Sequence, residues 1–151
     1  MTWHAYEYVI KRKKIGETPQ LTKPEDAEKW LRPLFDGLEY EKMYVVALDS
    51  KRQMACVEEV SSGGLSNANF FPRDVFRLAC RANASAVVIA HNHPSGDPTP
   101  SPQDLATTQQ MIDGGHILGI KVVDHLIFGD QTLSLRRDER LNWKKAIDKT
   151  K

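Results

Sequence analysis

The stretch Ala86-Val87-Val88-Ile89-Ala90-His91-Asn92-His93-Pro94-Ser95-Gly96, continued by Asp97-Pro98-Thr99-Pro100-Ser101-Pro102-Gln103-Asp104, decides how this chain is read. Its first five residues are an unbroken apolar run, the pattern of a central strand buried on both faces. Side chains alternate on a strand, so His91 and His93 point the same way if the extended conformation persists past Ala90. Pro94 removes a backbone donor and ends the strand, which places the pair at the rim of the sheet. The proline-rich loop then turns the chain back and delivers Asp104 in the first turn of the next helix. Two imidazoles and one carboxylate are the ligands of a catalytic zinc site that keeps a position open for water.

Working outward, Gln103 to Leu118 reads as a helix whose last turns Gly114-Gly115 should weaken. Lys121 to Phe128 and Thr132 to Leu135 read as strands around a Gly129-Asp130 turn. Upstream, Pro72 to Asn83 reads as a helix with Val75, Phe76, Leu78, Ala79 and Ala82 facing the core. Met43 to Leu48 and Gln53 to Val60 form a hairpin around Asp49-Ser50-Lys51-Arg52, and Ser61-Ser62-Gly63-Gly64 breaks the second strand. Lys23-Pro24-Glu25-Asp26 opens a helix, with proline in the first turn and acids at the positive dipole end. Ala27, Trp30, Leu31 and Leu34 follow helical spacing there, and Gly37 is its stop. Trp3 to Lys14 reads as a strand or extended arm, and Leu141 to Ile147 as a short helix fraying into a charged tail. Mixed strands and helices without a domain-sized linker predict a single α/β or α+β domain, a sheet flanked by helices.

The 151 residues fit one domain, and folding should bury roughly 70% of the extended chain's surface. A net charge of +1 gives no global field toward nucleic acid or acidic membranes. The charge is uneven: residues 17–49 hold eight acids and four bases, residues 136–151 seven bases and three acids, and Lys11-Arg12-Lys13-Lys14 is a basic run. Such clusters are usually solvated faces, with a DNA-binding patch as the sharper reading. Cys56 and Cys80 lie in apolar-patterned segments and should pack as small hydrophobes; neither has a CxxC partner. No apolar run reaches transmembrane length, and the N-terminus lacks a signal-peptide pattern, so a cytoplasmic compartment and no membrane association are expected.

A zinc site of this type needs a general base within reach of the activated water and a donor where oxyanion charge develops. Ser101, beside the third ligand, can donate. For the base, Glu39, Glu41, Glu58 and Glu59 are all near the hairpin, and spacing does not choose among them. Ser101-Pro102-Gln103-Asp104 is also a capping box, and an Asp104 on a metal would be diverted from that cap. Asp124-His125 serves either as support behind the ligands or as part of the strand. His4 and His116 have no constellation around them. No HExxH, P-loop or GxGxxG is present, nor the His-x-Glu and Pro-Cys-x-x-Cys of zinc deaminases. His91-Asn92-His93 is not the HNH nuclease motif, whose residues are dispersed through a ββα unit.

Histidine, one residue, histidine, seven residues, serine, two residues, aspartate resembles the JAMM metalloprotease motif of JAB/MPN-plus domains. His91 to Gly96, continued to Ser101, resembles the bacterial RadC family within that superfamily. So do Glu41 to Asp49, Glu58-Glu59-Val60-Ser61, Pro72 to Phe76, Asn83 to Ala86, Leu118-Gly119-Ile120 and Asp124 to Ile127. The resemblance spans about residues 25–136, leaving 1–24 as an N-terminal arm and 137–151 as a C-terminal helix and basic tail. It implies a JAB/MPN-like, cytidine-deaminase-like mixed sheet flanked by helices. It implies zinc on His91, His93 and Asp104, Glu41, eight residues before Asp49, as the catalytic glutamate, and Ser101 as the residue that steadies the reacting oxygen. The wider superfamily hydrolyses amide or isopeptide bonds; the RadC branch carries a DNA-repair name. Longer RadC relatives begin with a region resembling a helix-hairpin-helix DNA-binding unit, a pattern that residues 1–24 lack.

Overall fold

The computed structural model describes residues 16–62 and 71–144. The arm expected over Trp3–Lys14, with its basic run and His4, lies outside them, as do residues 63–70 and 145–151. The chain runs α1 (Pro24–Leu31), a 3-10 turn (Arg32–Leu34), β1 (Lys42–Leu48), β2 (Met54–Ser62), α2 (Pro72–Ala82), β3 (Ala86–Asn92), α3 (Pro102–Leu118), β4 (Lys121–Phe128), β5 (Thr132–Ser134) and a 3-10 turn (Leu135–Arg137). One five-stranded sheet has the order β2-β1-β3-β4-β5. The β3–β4 pair is parallel, which requires the α3 crossover; the other pairs are antiparallel. This is the mixed sheet flanked by helices that the sequence predicts.

Helices cover both faces of the sheet. One face packs Met43, Val45, Ala47, Val87, Ile89, Val122 and Ile127 against α2 and α3 through Val75, Phe76, Ala79, Met111 and Ile112. The other packs Val46, Leu48, Val88, Ala90, Leu126 and Phe128 against α1 through Ala27 and Leu31. Every residue of β3 is therefore buried, as its apolar run predicts.

Several expectations need correction. Trp30 is exposed and Leu34 lies at the surface, while Ala27, Leu31 and Phe35 are buried. The α-helix ends at Leu31, and the 3-10 turn carrying Pro33 swings Phe35 inward to stack on Phe128 at 4.7 Å. α3 runs through Gly114-Gly115 to the expected Leu118 before Gly119 caps it in the left-handed conformation. A Cβ on Gly115 would stand 2.4 Å from the Ile120 carbonyl, so this glycine lets the chain fold tightly back into β4. Cys56 is half-buried against the core, but Cys80 is exposed. Leu141 to Lys144 carries no helix; Leu141 and Trp143 instead pack on the core, and the Trp143 indole donates to the Leu135 carbonyl at 3.1 Å. Among the described residues no helix is long and apolar enough to cross a membrane.

Candidate metal centre

The His93 amide donates to the Phe128 carbonyl at 2.8 Å, so pairing with β4 continues one residue past β3. The alternation persists and both imidazoles leave the sheet on the α3 side. Ser101 and Pro102 start α3 as N-cap and first helical residue, which aims the first turn, with Asp104, at them. His91 Nε2 lies 3.0 Å from His93 Nε2 and 3.3 Å from Asp104 Oδ1; His93 Nε2 lies 3.2 Å from Asp104 Oδ2. His91 and Asp104 are buried, and His93 is half-buried toward solvent. Asp104 keeps its cap as well: its amide donates to Ser101 Oγ at 3.0 Å, and its Oδ2 accepts from the Ser101 amide at 2.8 Å. The expected competition between cap and cluster does not arise, because one carboxylate serves both.

These atoms suit a metal ion. Four tetrahedral ligands on bonds of ~2.0–2.1 Å stand about 3.3–3.4 Å from one another, close to the separations here. The Asp97 carbonyl lies 2.8 Å from His93 Nδ1 and can only accept, so Nδ1 carries the proton and the neutral ring offers a lone pair at Nε2. An imidazole lone pair beside a carboxylate calls for a cation between them, a proton or a metal. His93 is pushed above the usual imidazole value, chiefly by its hydrogen bond with Asp104. Burial opposes ionisation of Asp104, but hydrogen bonds with His91 and His93 outweigh it and hold the carboxyl well below the usual range. His91, His93 and Asp104 thus form a cluster that can bind a metal ion.

Glu41, His93, Pro94, Ser95, Ser101, Gln103 and Asp104 line an open cleft of about 340 Å³ over this cluster. Of the four glutamates left open by spacing, Glu41 lines it. Glu59 is exposed and pairs with Lys42 at 3.0 Å, and Glu39 is exposed before β1. Asn92, which points away from the cluster, spans Glu41: its Oδ1 accepts from the Lys42 amide at 2.7 Å and its Nδ2 donates to the Tyr40 carbonyl at 3.1 Å. That link between β3 and the approach to β1 has no signature in local periodicity.

The Asp124-His125 pair divides. His125 is fully buried, and its Nε2 lies 2.7 Å from His91 Nδ1; burial pushes its pKa far down. Its Nδ1 lies 2.6 Å from the Thr108 hydroxyl, a partner that residue type alone did not single out. Asp124 lies away from the cluster. It accepts from the His125 amide at 2.7 Å, the Arg136 amide at 2.9 Å and the Ser134 hydroxyl at 2.6 Å, tying β4 to β5 and the turn after it. Of the two readings of that aspartate, the structure supports the structural one. His116 lies toward the far end of α3, with no part in the cluster.

The loop from Pro94 to Ser101 is held from below. The Asp130 amide donates to the Gly96 carbonyl at 2.7 Å, and a Cβ on Gly129 would stand 2.3 Å from that oxygen. Arg32 binds the Gly129 carbonyl at 3.2 Å and the Thr132 hydroxyl at 2.6 Å, so the 3-10 turn that follows α1 braces the β4–β5 turn on which the loop rests.

The sequence profile of the RadC-like JAB domain family matches residues 21–141. A UPF0758 protein of Caldanaerobacter subterraneus subsp. tengcongensis is 43% identical over 115 residues, covering 76% of this chain and 49% of its own length. One from Desulforudis audaxviator is 39% identical over 123 residues, 82% of this chain and 54% of that protein. One from Clostridium perfringens is 37% identical over 136 residues, 88% and 60% respectively. The chain thus spans roughly half the length of the curated relatives it matches.

Proposed function

The chain belongs to the RadC-like JAB domain family, and from that premise we propose that it is a zinc-dependent hydrolase of amide or isopeptide bonds. The observation that carries the reading is the convergence of two imidazole nitrogens and one carboxylate, 3.0–3.3 Å apart, on a cleft that also holds a glutamate and a serine. Imidazole ligands favour zinc over magnesium or calcium, which take oxygen.

His91, His93 and Asp104 would hold the ion. When bound, zinc acts as a Lewis acid and makes water a source of hydroxide near neutral pH. Glu41, on the wall of the cleft, takes the proton of the attacking water and returns it to the leaving amine. The Ser101 hydroxyl accepts from the Asp104 amide, which leaves its own proton to donate to the carbonyl oxygen as negative charge develops there. His125 supports His91 from behind, and Asn92 keeps Glu41 near the cluster.

Metal content of the purified protein, measured beside His91→Ala and Asp104→Ala, tests the first part. Zinc near one equivalent in the parent and its loss in both variants is expected; unchanged content in both would end the proposal. Incubation with a panel of peptide and isopeptide substrates and with labelled DNA tests the second. Glu41→Gln should abolish amide hydrolysis while retaining zinc. Cleavage of DNA alone would replace the peptidase reading with that of a metal-dependent nuclease.

A further inference from the structure

We infer that Thr108 and His125 act in series as positioning residues that fix the tautomer of His91, so that its Nε2 lone pair is presented to the cluster. The inference rests on the reading of that cluster as a metal site.

The direction of each hydrogen bond follows from the one before it. Thr108 lies on α3 one turn after Asp104 and is fully buried. Its hydroxyl oxygen is 2.6 Å from the Asp104 carbonyl oxygen, an atom that can only accept. Two oxygens at that distance without a hydrogen between them repel, so the single hydroxyl proton goes to the carbonyl. The same hydroxyl stands 2.6 Å from His125 Nδ1 and, having no second proton, accepts there. His125 Nδ1 therefore carries hydrogen. Both ring nitrogens of His125 are committed, to Thr108 and His91, and neither partner is a carboxylate that would offset a buried positive charge. With one proton on the ring, Nε2 accepts, and at 2.7 Å the donor is His91 Nδ1. His91 thus has its proton on Nδ1 and its lone pair on Nε2, the atom beside His93 and Asp104. One helical turn of α3 supplies a ligand directly through Asp104 and orders a second through Thr108.

Long-range proton–nitrogen NMR of the imidazoles in metal-stripped protein at alkaline pH reads the tautomers. His125 and His91 should each appear protonated on Nδ1. Thr108→Val removes the acceptor while keeping the shape; it should move the His125 proton to Nε2 and weaken zinc binding, measured by chelator competition, roughly tenfold to hundredfold. Thr108→Ser should restore both. His91 protonated on Nε2 in the parent protein would overturn the inference, and that measurement decides even if Thr108→Val fails to fold. A folded Thr108→Val with unchanged tautomers and affinity would overturn it too. The two readings separate cleanly: if His91→Ala and Asp104→Ala lose zinc while Thr108→Val keeps full affinity, only the series fails. If those ligand variants keep their zinc, the metal site itself fails.

Discussion

Ser101 and Asp104 exchange two hydrogen bonds, Asp104 N to Ser101 Oγ at 3.0 Å and Ser101 N to Asp104 Oδ2 at 2.8 Å, while the same carboxylate faces both imidazoles. The helix cap and the proposed metal ligand are one structure. The cap orients the carboxylate before any ion arrives, which reduces the entropy lost on binding. Ser101→Ala should therefore cost about 1 kcal/mol of stability by removing the cap. It should also lower turnover of any amide substrate, and Ser101→Thr should recover both. Chemical denaturation and steady-state kinetics on the zinc-loaded protein measure the two effects.

Protons compete with metal at the cluster, so metal-stripped and zinc-loaded protein should respond oppositely to pH. His93 is raised above its ordinary 6.5 by Asp104, so in metal-stripped protein this pair stabilises fully below about 6.5, and the contribution is lost as pH rises through the raised value. Asp104 is depressed from 3.8, so its contribution is present above 3.8 and is lost only as pH falls toward the depressed value. Zinc needs the imidazole lone pairs and binds better as pH rises. The difference in Tm between loaded and stripped protein should widen from pH 6 upward; a constant difference would contradict this account.

Asn92→Ala should leave zinc content intact and impair the chemistry. It strands the Lys42 amide and the Tyr40 carbonyl that flank Glu41, at a cost of about 1–3 kcal/mol. Turnover should fall because Glu41 loses its placement. Metal analysis beside kinetics separates this outcome from loss of the ion.

Asp124 offers a contrast between charge and hydrogen bonding. Burial raises its pKa, so its ionised form carries a desolvation cost that its donors only partly offset. Asp124→Asn keeps an oxygen for the His125 and Arg136 amides, both of which bond Oδ1, and removes the charge. Its stability should stay within about 1 kcal/mol of the parent, whereas Asp124→Ala should lose about 2–3 kcal/mol by stranding those donors. Neither should alter zinc stoichiometry, which thermal melts and metal analysis can check together.

Gly129→Ala should weaken zinc binding without touching a ligand. The new Cβ would meet the Gly96 carbonyl at 2.3 Å, and the clash is with backbone, so the loop must move. That loop supplies the Asp97 carbonyl that orients His93. A loss of roughly tenfold or more in affinity is expected from chelator competition.

The helices and strands were legible wherever local pattern sufficed. The apolar run of β3, the stripe on α2 and the hairpin of β1 and β2 each stand close to their expected bounds. Leu34 departs from the expectation because the 3-10 turn after Leu31 changes the helical period, whereas Trp30, inside α1, stands beside the face that Ala27 and Leu31 bury and stays exposed. Cys80 misled because an apolar-looking neighbourhood on α2 does not say which face a residue occupies.

The meeting of His91, His93 and Asp104 follows from the sequence alone. Two-residue spacing on a strand sets one common direction, and a capped first turn just after a short rigid loop brings the carboxylate back to it. The same logic misplaces His125. Val122 packs on the α3 side of the sheet, so strict alternation would send residue 125 to the opposite face. A register shift in β4, where Val87 pairs with Val122 but Val88 with Asp124, inserts one residue and turns His125 toward His91. The position of Glu41 on the cleft wall, and the grip of Asn92 on the residues either side of it, likewise depend on how the approach to β1 is seated beside β3. Short-range spacing encodes where a side chain points relative to its own strand or helix. Register, bulges and the seating of one strand beside another are set by contacts between distant segments, and only the folded chain decides those.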